Sequence, residues 1–100
     1  MRHFVIEIIY IAPLEKIEEL TQSHREFLQT GYKNGMLLVS GPKIPRTGGI
    51  VIARGNSMEE VAEFFKNDPY ALNNAAEYQF IEFNAKSHQS FLREWLGIQN

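Results

Sequence analysis

The sequence contains no cysteine among its 100 residues, which excludes disulfide bonds, thiolate metal ligands and cysteine nucleophiles. It has no excess of positive charge, since ten basic and twelve acidic residues give a formal net charge of −2. We therefore expect no nucleic-acid partner, which would require a concentrated basic patch. No apolar run approaches the roughly 18 residues that span a bilayer, and the N-terminus does not resemble a signal peptide. These absences favour a cytoplasmic protein without a membrane partner.

A chain of this length is expected to form one domain. Such a domain buries only about two-thirds of its unfolded surface, while ordering the chain costs roughly 1.5 kcal/mol per residue. The single core is therefore marginal. Because disulfides are excluded, association with a second copy of the chain is the natural source of additional stability.

Hydrophobic periodicity predicts the order of the secondary-structure elements. The predicted strands cover residues 3–11, 36–40, 49–53 and 76–83, and the predicted helices cover 14–32, 58–66 and a tail at 87–96. Pro13 suits the first helix start, Ser57 with Glu60 forms a capping box before the second, and Asp68 opens a short new helix. The residues between the second and third strands, 41–48, are predicted to form a loop.

The order β-α-β-β-α-β predicts an α+β fold of the ferredoxin-like type, an antiparallel sheet with two helices on one face, plus a C-terminal helix. The first strand is apolar on both faces, since Phe4 and Ile6 alternate with Val5 and Ile9. A sheet with one wet face alternates apolar and polar residues instead. The tail helix can cover part of the second face, but we favour a homodimer packed sheet to sheet.

His24 is the first candidate for chemistry. It lies seven residues after Ile17 and three before Phe27, so its ring is predicted to face the sheet from within the apolar stripe of the first helix. Imidazole is suited to proton transfer near neutral pH. Position alone nevertheless favours a buried histidine that serves packing.

Asp68 is the only aspartate in the chain, and it directly precedes Pro69. This pattern is typical of an N-cap followed by proline at the first helical position. Alternatively, the carboxylate holds an imidazole in one tautomer and stabilises its protonated form. Sequence alone favours the cap, although one carboxylate can serve both purposes.

Other candidates are weaker on sequence alone. Ser40, Gly41 and Pro42 end the second strand, and a turn there is the safer interpretation. Arg46 can pair with an anionic substrate group, but sequence alone favours an ordinary solvated loop arginine. The four tyrosines, Tyr70 among them, cannot be ranked. No metal site is predicted, because the three histidines lie on separate elements.

Together, His24, the run Ser40-Gly41-Pro42 and the run Asp68-Pro69-Tyr70 resemble the YciI-like (YCII-related) family. The resemblance covers about residues 1–86 and leaves 87–100 as a C-terminal helical extension. It implies the dimeric α+β barrel fold and a small enzyme with a His–Asp pair in a pocket. Characterised relatives are dehydrochlorinases that act on chlorinated aromatic breakdown products, and muconolactone isomerases share the broader fold.

The resemblance implies His24 and Asp68 as the catalytic pair, with Gly41 and Pro42 as pocket-forming backbone. Ser40, Arg46 and Tyr70 complete the predicted substrate-binding set. The expected function is acid–base chemistry of the lyase or isomerase type on a small molecule, in a homodimer or higher oligomer and without a cofactor. The alternative is a non-catalytic dimeric module that binds or senses a ligand, and a heme-binding relative of the barrel is a weaker third.

The two main alternatives differ in a measurable distance. An enzyme predicts a ring-sized pocket at His24 with the Asp68 carboxylate within hydrogen-bond range of the imidazole. A wide separation without a cleft at His24 would favour the binding module.

Overall fold

The structure is a computed structural model that describes residues 1–98. Its elements are β1 (Arg2–Tyr10), α1 (Leu14–Lys33), β2 (Leu37–Pro42), β3 (Gly48–Gly55), α2 (Met58–Phe65), α3 (Pro69–Leu72), β4 (Ala76–Phe83), a 3₁₀ turn (Ser90–Leu92) and α4 (Arg93–Leu96). The element order β-α-β-β-α-β predicted from the sequence is confirmed.

The four strands form one sheet in the order β2-β3-β1-β4. Every neighbouring pair is antiparallel. The central strand β1 pairs Ile6 with Val51 of β3 on one side and with Phe80 of β4 on the other. The ferredoxin-like α+β fold with a C-terminal helix is thereby confirmed.

Local signals set the helix starts. Helix α1 begins one residue after Pro13, and the Ser57 side chain caps α2 by accepting a hydrogen bond from the Glu60 N–H. The reciprocal half of the predicted capping box differs, because the Glu60 carboxylate accepts from the backbone N–H of Asn56 rather than from that of Ser57. The cap still satisfies backbone donors that the first turn leaves free.

The core lies between the helices and one face of the sheet. Alternate residues of β1 point into it, since Phe4 and Ile6 are fully buried and side chains on a strand alternate between faces. The helices contribute Ile17, Val61 and Phe65, which are also buried. Apolar burial on this face is what holds the helices to the sheet.

The opposite face of the sheet is only partly covered. At one end, Trp95 of α4 packs against the ring of His3, and the guanidinium of Arg54 lies 5.2 Å from the Trp95 ring centroid. Arg54 also donates a hydrogen bond to the Trp95 carbonyl. Elsewhere this face exposes apolar side chains, namely Val39, Ile50, Ile81 and Phe83. The C-terminal helix therefore covers one end of the second face and leaves the remainder open.

The predicted bounds of the tail helix and of the loop after the second strand are wrong. The tail is not helical from Ser87, because the 3₁₀ turn begins at Ser90 without a side-chain cap and α4 ends at Gly97, whose φ is 73°. Phe91 is 79% exposed, so its place in the apolar pattern of the tail does not correspond to a buried contact. The loop after β2 is also shorter than predicted, since Gly41 and Pro42 pair with Ile50 and Gly49 and extend the ladder. Within residues 1–98, no helix combines the length and apolarity needed to cross a membrane.

Two glycines of the β2–β3 hairpin, Gly48 and Gly41, test how closely β3 approaches β1. A Cβ atom on Gly48 would lie 1.8 Å from the carbonyl oxygen of Ile8, whereas one on Gly41 would meet nothing within 4 Å. We expect Gly48→Ala to lower the free energy of unfolding by about 1–3 kcal/mol or more, because β3 would have to shift away from β1. Gly41→Ala should change it by less than about 0.5 kcal/mol. Urea unfolding measures both, and equal losses would contradict the close approach.

Candidate active site

The site is built around the carboxylate of Asp68, which is fully buried. Asp68 caps α3, and its Oδ1 accepts a hydrogen bond from the Tyr70 N–H at 3.1 Å. Pro69 occupies the first helical position, where no free N–H is needed. The local chain therefore fixes the carboxylate in place independently of any other partner.

His24 meets this carboxylate from α1. Its Nδ1 donates to Asp68 Oδ1 at 2.8 Å, and its side chain is 11% exposed. The ring also stacks on Tyr70, with centroids 4.0 Å apart and planes inclined by 14°. Because the carboxylate accepts from Nδ1, the neutral ring carries its proton there and leaves Nε2 as the free acceptor. Both contacts fix the orientation of the imidazole.

Tyr78 of β4 supplies the third hydrogen-bond donor to the Asp68 carboxylate. The sequence did not single it out. Its hydroxyl donates to Asp68 Oδ2 at 2.6 Å. Burial is the main cause that raises the pKa of Tyr78, and the neighbouring Asp68 carboxylate raises it further, so the phenol remains a donor at neutral pH. Its place on the inward face of β4 was a signal of burial, but the sequence does not show which partner the hydroxyl meets.

Thr21 is a second residue that sequence reasoning missed. It lies three residues before His24 on α1 and donates to the Ile17 carbonyl at 2.8 Å. Its Oγ1 therefore accepts from the Tyr70 hydroxyl at 3.1 Å, since its single proton is already used. Burial raises the pKa of Tyr70. The Tyr70 ring is thus held at both ends, by its backbone at Asp68 and by its hydroxyl at Thr21.

These elements enclose a cavity of about 300 Å³ between α1, α3 and the β2–β3 hairpin. Six of the seven residues predicted for the site line it: His24, Ser40, Gly41, Pro42, Arg46 and Tyr70. Asp68 lies behind His24 and does not line the cavity. Ser40 is fixed by a 2.6 Å hydrogen bond to the Tyr32 hydroxyl. Among residues 1–98, no group of three or more His, Cys, Asp or Glu side chains is placed to hold a metal ion.

The arrangement can perform proton transfer. One ring nitrogen of His24 is engaged by a carboxylate, and the other is available to a cavity large enough for a single ring. An imidazole oriented in this way can accept a proton, and the buried carboxylate stabilises the resulting imidazolium.

Comparisons with known proteins agree with this fold. The YCII-related domain family matches residues 1–84. No curated protein matches the chain in sequence. Among solved structures, the chain is similar to 5-chloro-2-hydroxyhydroquinone dehydrochlorinase from Burkholderia phenoliruptrix AC1100, determined in complex with 2,5-dihydroxybenzoquinone. The TM-score is 0.69 at 21% sequence identity, and the match covers 86% of this chain and 95% of the other.

Removing the Tyr78 hydroxyl tests the hydrogen bonding of Asp68. We expect Tyr78→Phe to lower the free energy of unfolding by about 1–3 kcal/mol, because the buried carboxylate loses a donor. Tyr32→Phe is the matched control and should cost less, since it removes a hydroxyl from the neutral Ser40 side chain. Urea unfolding at pH 7 measures both, and a loss for Tyr78→Phe no larger than for Tyr32→Phe would contradict this account.

Tyr78→Phe should also change how the free energy of unfolding depends on pH under alkaline conditions. The pKa of Tyr78 is raised in the folded state, so above the ordinary tyrosine pKa of about 10 the unfolded chain releases a proton that the folded chain retains. The free energy of unfolding therefore falls as pH rises above that value. Unfolding measured across this range should show a shallower fall for Tyr78→Phe than for the wild type.

Proposed function

The chain belongs to the YCII-related domain family, and from that premise we propose that it is a small-molecule enzyme that uses His24 and Asp68 for acid–base chemistry. The observation that carries the proposal is the 2.8 Å hydrogen bond from His24 Nδ1 to a fully buried carboxylate, beside a ring-sized cavity. The proposed substrate is a small cyclic or aromatic-derived metabolite.

In the proposed mechanism the two residues have different roles. His24 lines the cavity and acts as the catalytic base through Nε2. Asp68 does not reach the cavity, so it acts through His24 as a positioning residue that fixes the tautomer and stabilises the imidazolium. Ser40, Gly41, Pro42, Arg46 and Tyr70 form walls against which the substrate lies.

Dehydrochlorination illustrates a balanced reaction for this site. The reacting form is the keto tautomer of a chlorinated hydroquinone, in which one ring hydroxyl has become a carbonyl and its proton lies on the carbon that bears chlorine. His24 Nε2 takes the proton of a remaining ring hydroxyl, whose electron pair forms a second carbonyl. The neighbouring carbon–carbon double bond shifts to the chlorine-bearing carbon, the carbon–chlorine bond breaks, and chloride leaves with the bonding pair to give a quinone. The imidazolium then passes its proton to water, so the net change is loss of HCl without an oxidant or a cofactor. An isomerase would instead return the proton to a different carbon.

The solved structure of similar fold supports this choice of substrate class. That protein is a dehydrochlorinase, and its ligand is a dihydroxylated quinone. The cavity of this chain, at about 300 Å³, lies at the small end of the range for ligand pockets. A single substituted ring fits that volume better than a larger cofactor or a polymer.

The proposed enzyme is a homodimer packed through the open face of the sheet. Val39, Ile50, Ile81 and Phe83 are between 36% and 54% exposed on that face. Several exposed apolar side chains on one face of a sheet offer a surface for a partner to cover. A second copy of the same sheet would bury these side chains and add the stability that a short chain lacks.

Replacing the proposed base tests the catalytic role. We expect His24→Gln to lower the rate of chloride release from 5-chloro-2-hydroxyhydroquinone, or of turnover of a related chlorinated hydroquinone or lactone, by about 10²–10⁴-fold. The matched control is His88→Gln, because His88 lies near the tail and contacts the Gln89 carbonyl. Steady-state kinetics compare both variants with the wild type.

A full rate in His24→Gln would overturn the proposed mechanism. Saturable binding of these compounds by a wild-type protein that turns none of them over would instead favour the non-catalytic ligand-binding module.

A charge placed in the open sheet face tests the dimer. Ile81→Glu should weaken self-association by about 100-fold or more, because two carboxylates would be buried in the interface. Leu72→Glu is the control, since Leu72 is 66% exposed on α3, away from the sheet. Sedimentation equilibrium gives the dissociation constants, and a wild type that stays monomeric at high concentration would refute the dimer.

A further inference from the structure

Arg46 enters the cavity with an unusual set of contacts. Its Nη2 donates to Thr21 Oγ1 at 3.1 Å. Its Nε is buried but makes no hydrogen bond within the part of the chain that the structure describes. A donor nitrogen that is shielded from water and lacks an acceptor is unfavourable, so its presence beside a cavity points to an acceptor that arrives with a ligand.

No carboxylate of the described residues balances this charge. None of the residues that line the cavity is Asp or Glu, and Arg46 forms no ion pair within residues 1–98. Asp68 is occupied by His24, Tyr70 and Tyr78. Glu7, on the open face of the sheet, is paired with Lys43. The cavity therefore contains a cation without a compensating anion.

The loop that carries Arg46 is held in place. The Tyr10 N–H donates to the Thr47 carbonyl at 3.0 Å, and the Lys43 N–H donates to the Gly48 carbonyl at 2.8 Å. The guanidinium is thus positioned by backbone hydrogen bonds and by Thr21 before any ligand binds. Such preorganisation reduces the entropy lost on binding.

Two tyrosines, Tyr10 and Tyr70, line the cavity together with Arg46. The nearby Tyr10 hydroxyl raises the pKa of Arg46, and burial raises the pKa of Tyr70. The Tyr70 phenol therefore keeps its proton while the arginine keeps its charge. A charged guanidinium suits a negatively charged oxygen, for which charge-assisted hydrogen bonds are the strongest.

We propose that Arg46, supported by Thr21 and Tyr10, forms an oxyanion-binding subsite, and that the substrate is a ring-sized molecule carrying a carboxylate, phenolate or enolate oxygen. The inference rests on the proposed function in taking this cavity as the substrate site. It adds that the substrate is anchored by its negative oxygen at Arg46 while His24 Nε2 faces the proton to be moved. Carboxylate, phenolate and enolate share the same recognition chemistry.

Binding of matched charged and neutral probes tests this subsite without any turnover. The probes are benzoate and benzamide, which have similar shapes, with 2,5-dihydroxybenzoquinone as a second anion. We expect the wild type to bind benzoate at least about tenfold more tightly than benzamide. Arg46→Gln should remove that preference by weakening benzoate about tenfold while leaving benzamide within about twofold. Isothermal titration calorimetry supplies the dissociation constants.

Two further variants make the result specific. Arg25→Gln removes an exposed arginine at the rim of the same cavity and should retain most of the benzoate preference. Arg46→Lys keeps the charge but loses the planar fork, so it should show an intermediate preference and also provides a second test if Arg46→Gln does not fold.

The proposal is overturned if the wild type binds benzamide as tightly as benzoate, if it binds neither anion, or if both Arg46 variants keep the wild-type preference. Its failure is separable from that of the catalytic proposal. His24→Gln should retain the benzoate preference whatever its effect on turnover, because His24 does not supply the charge at Arg46. A normal rate in His24→Gln with an intact preference would reject the base and leave the subsite standing.

Discussion

The structure of the site depends on one buried carboxylate. Asp68 has no exposed surface, and a carboxylate removed from water is stable only when donors replace its hydration. Those donors come from three elements, since Tyr70 belongs to α3, His24 to α1 and Tyr78 to β4. Satisfying Asp68 therefore fixes how α1 and β4 meet around the start of α3, and this geometry directs the His24 ring to the cavity.

Sequence patterns predicted the fold well because its signals are local. Apolar alternation in β1, the proline before α1 and the Ser57 cap each depend on a few neighbouring residues, and the structure confirms the elements they indicate. The prediction for the tail was wrong for the opposite reason. Its spacing of apolar residues suggested a helix from Ser87, but without a cap or buried contacts for Phe91 only Arg93–Leu96 forms α-helix.

The site was predictable only where the chain carried a motif. His24 and Asp68 lie 44 residues apart, and their pairing came from family resemblance rather than from spacing. Tyr78 and Thr21 belonged to no recognised motif, so their contacts with Asp68 and Tyr70 emerged only from the packing of β4 and α1. Hydroxyl partners of this kind are set by tertiary contacts, and this is why the four tyrosines could not be ranked in advance.

The structural and functional interpretations of Asp68 turn out not to compete. The same oxygen, Oδ1, accepts from the Tyr70 N–H and from His24 Nδ1. The cap is made by the chain immediately around Asp68, so it positions the carboxylate whether or not a ligand is present. An imidazole bound to a fixed acceptor loses little freedom when a substrate arrives, and proton transfer benefits from that prior ordering. A motif that begins a short helix thereby also orients the proposed base.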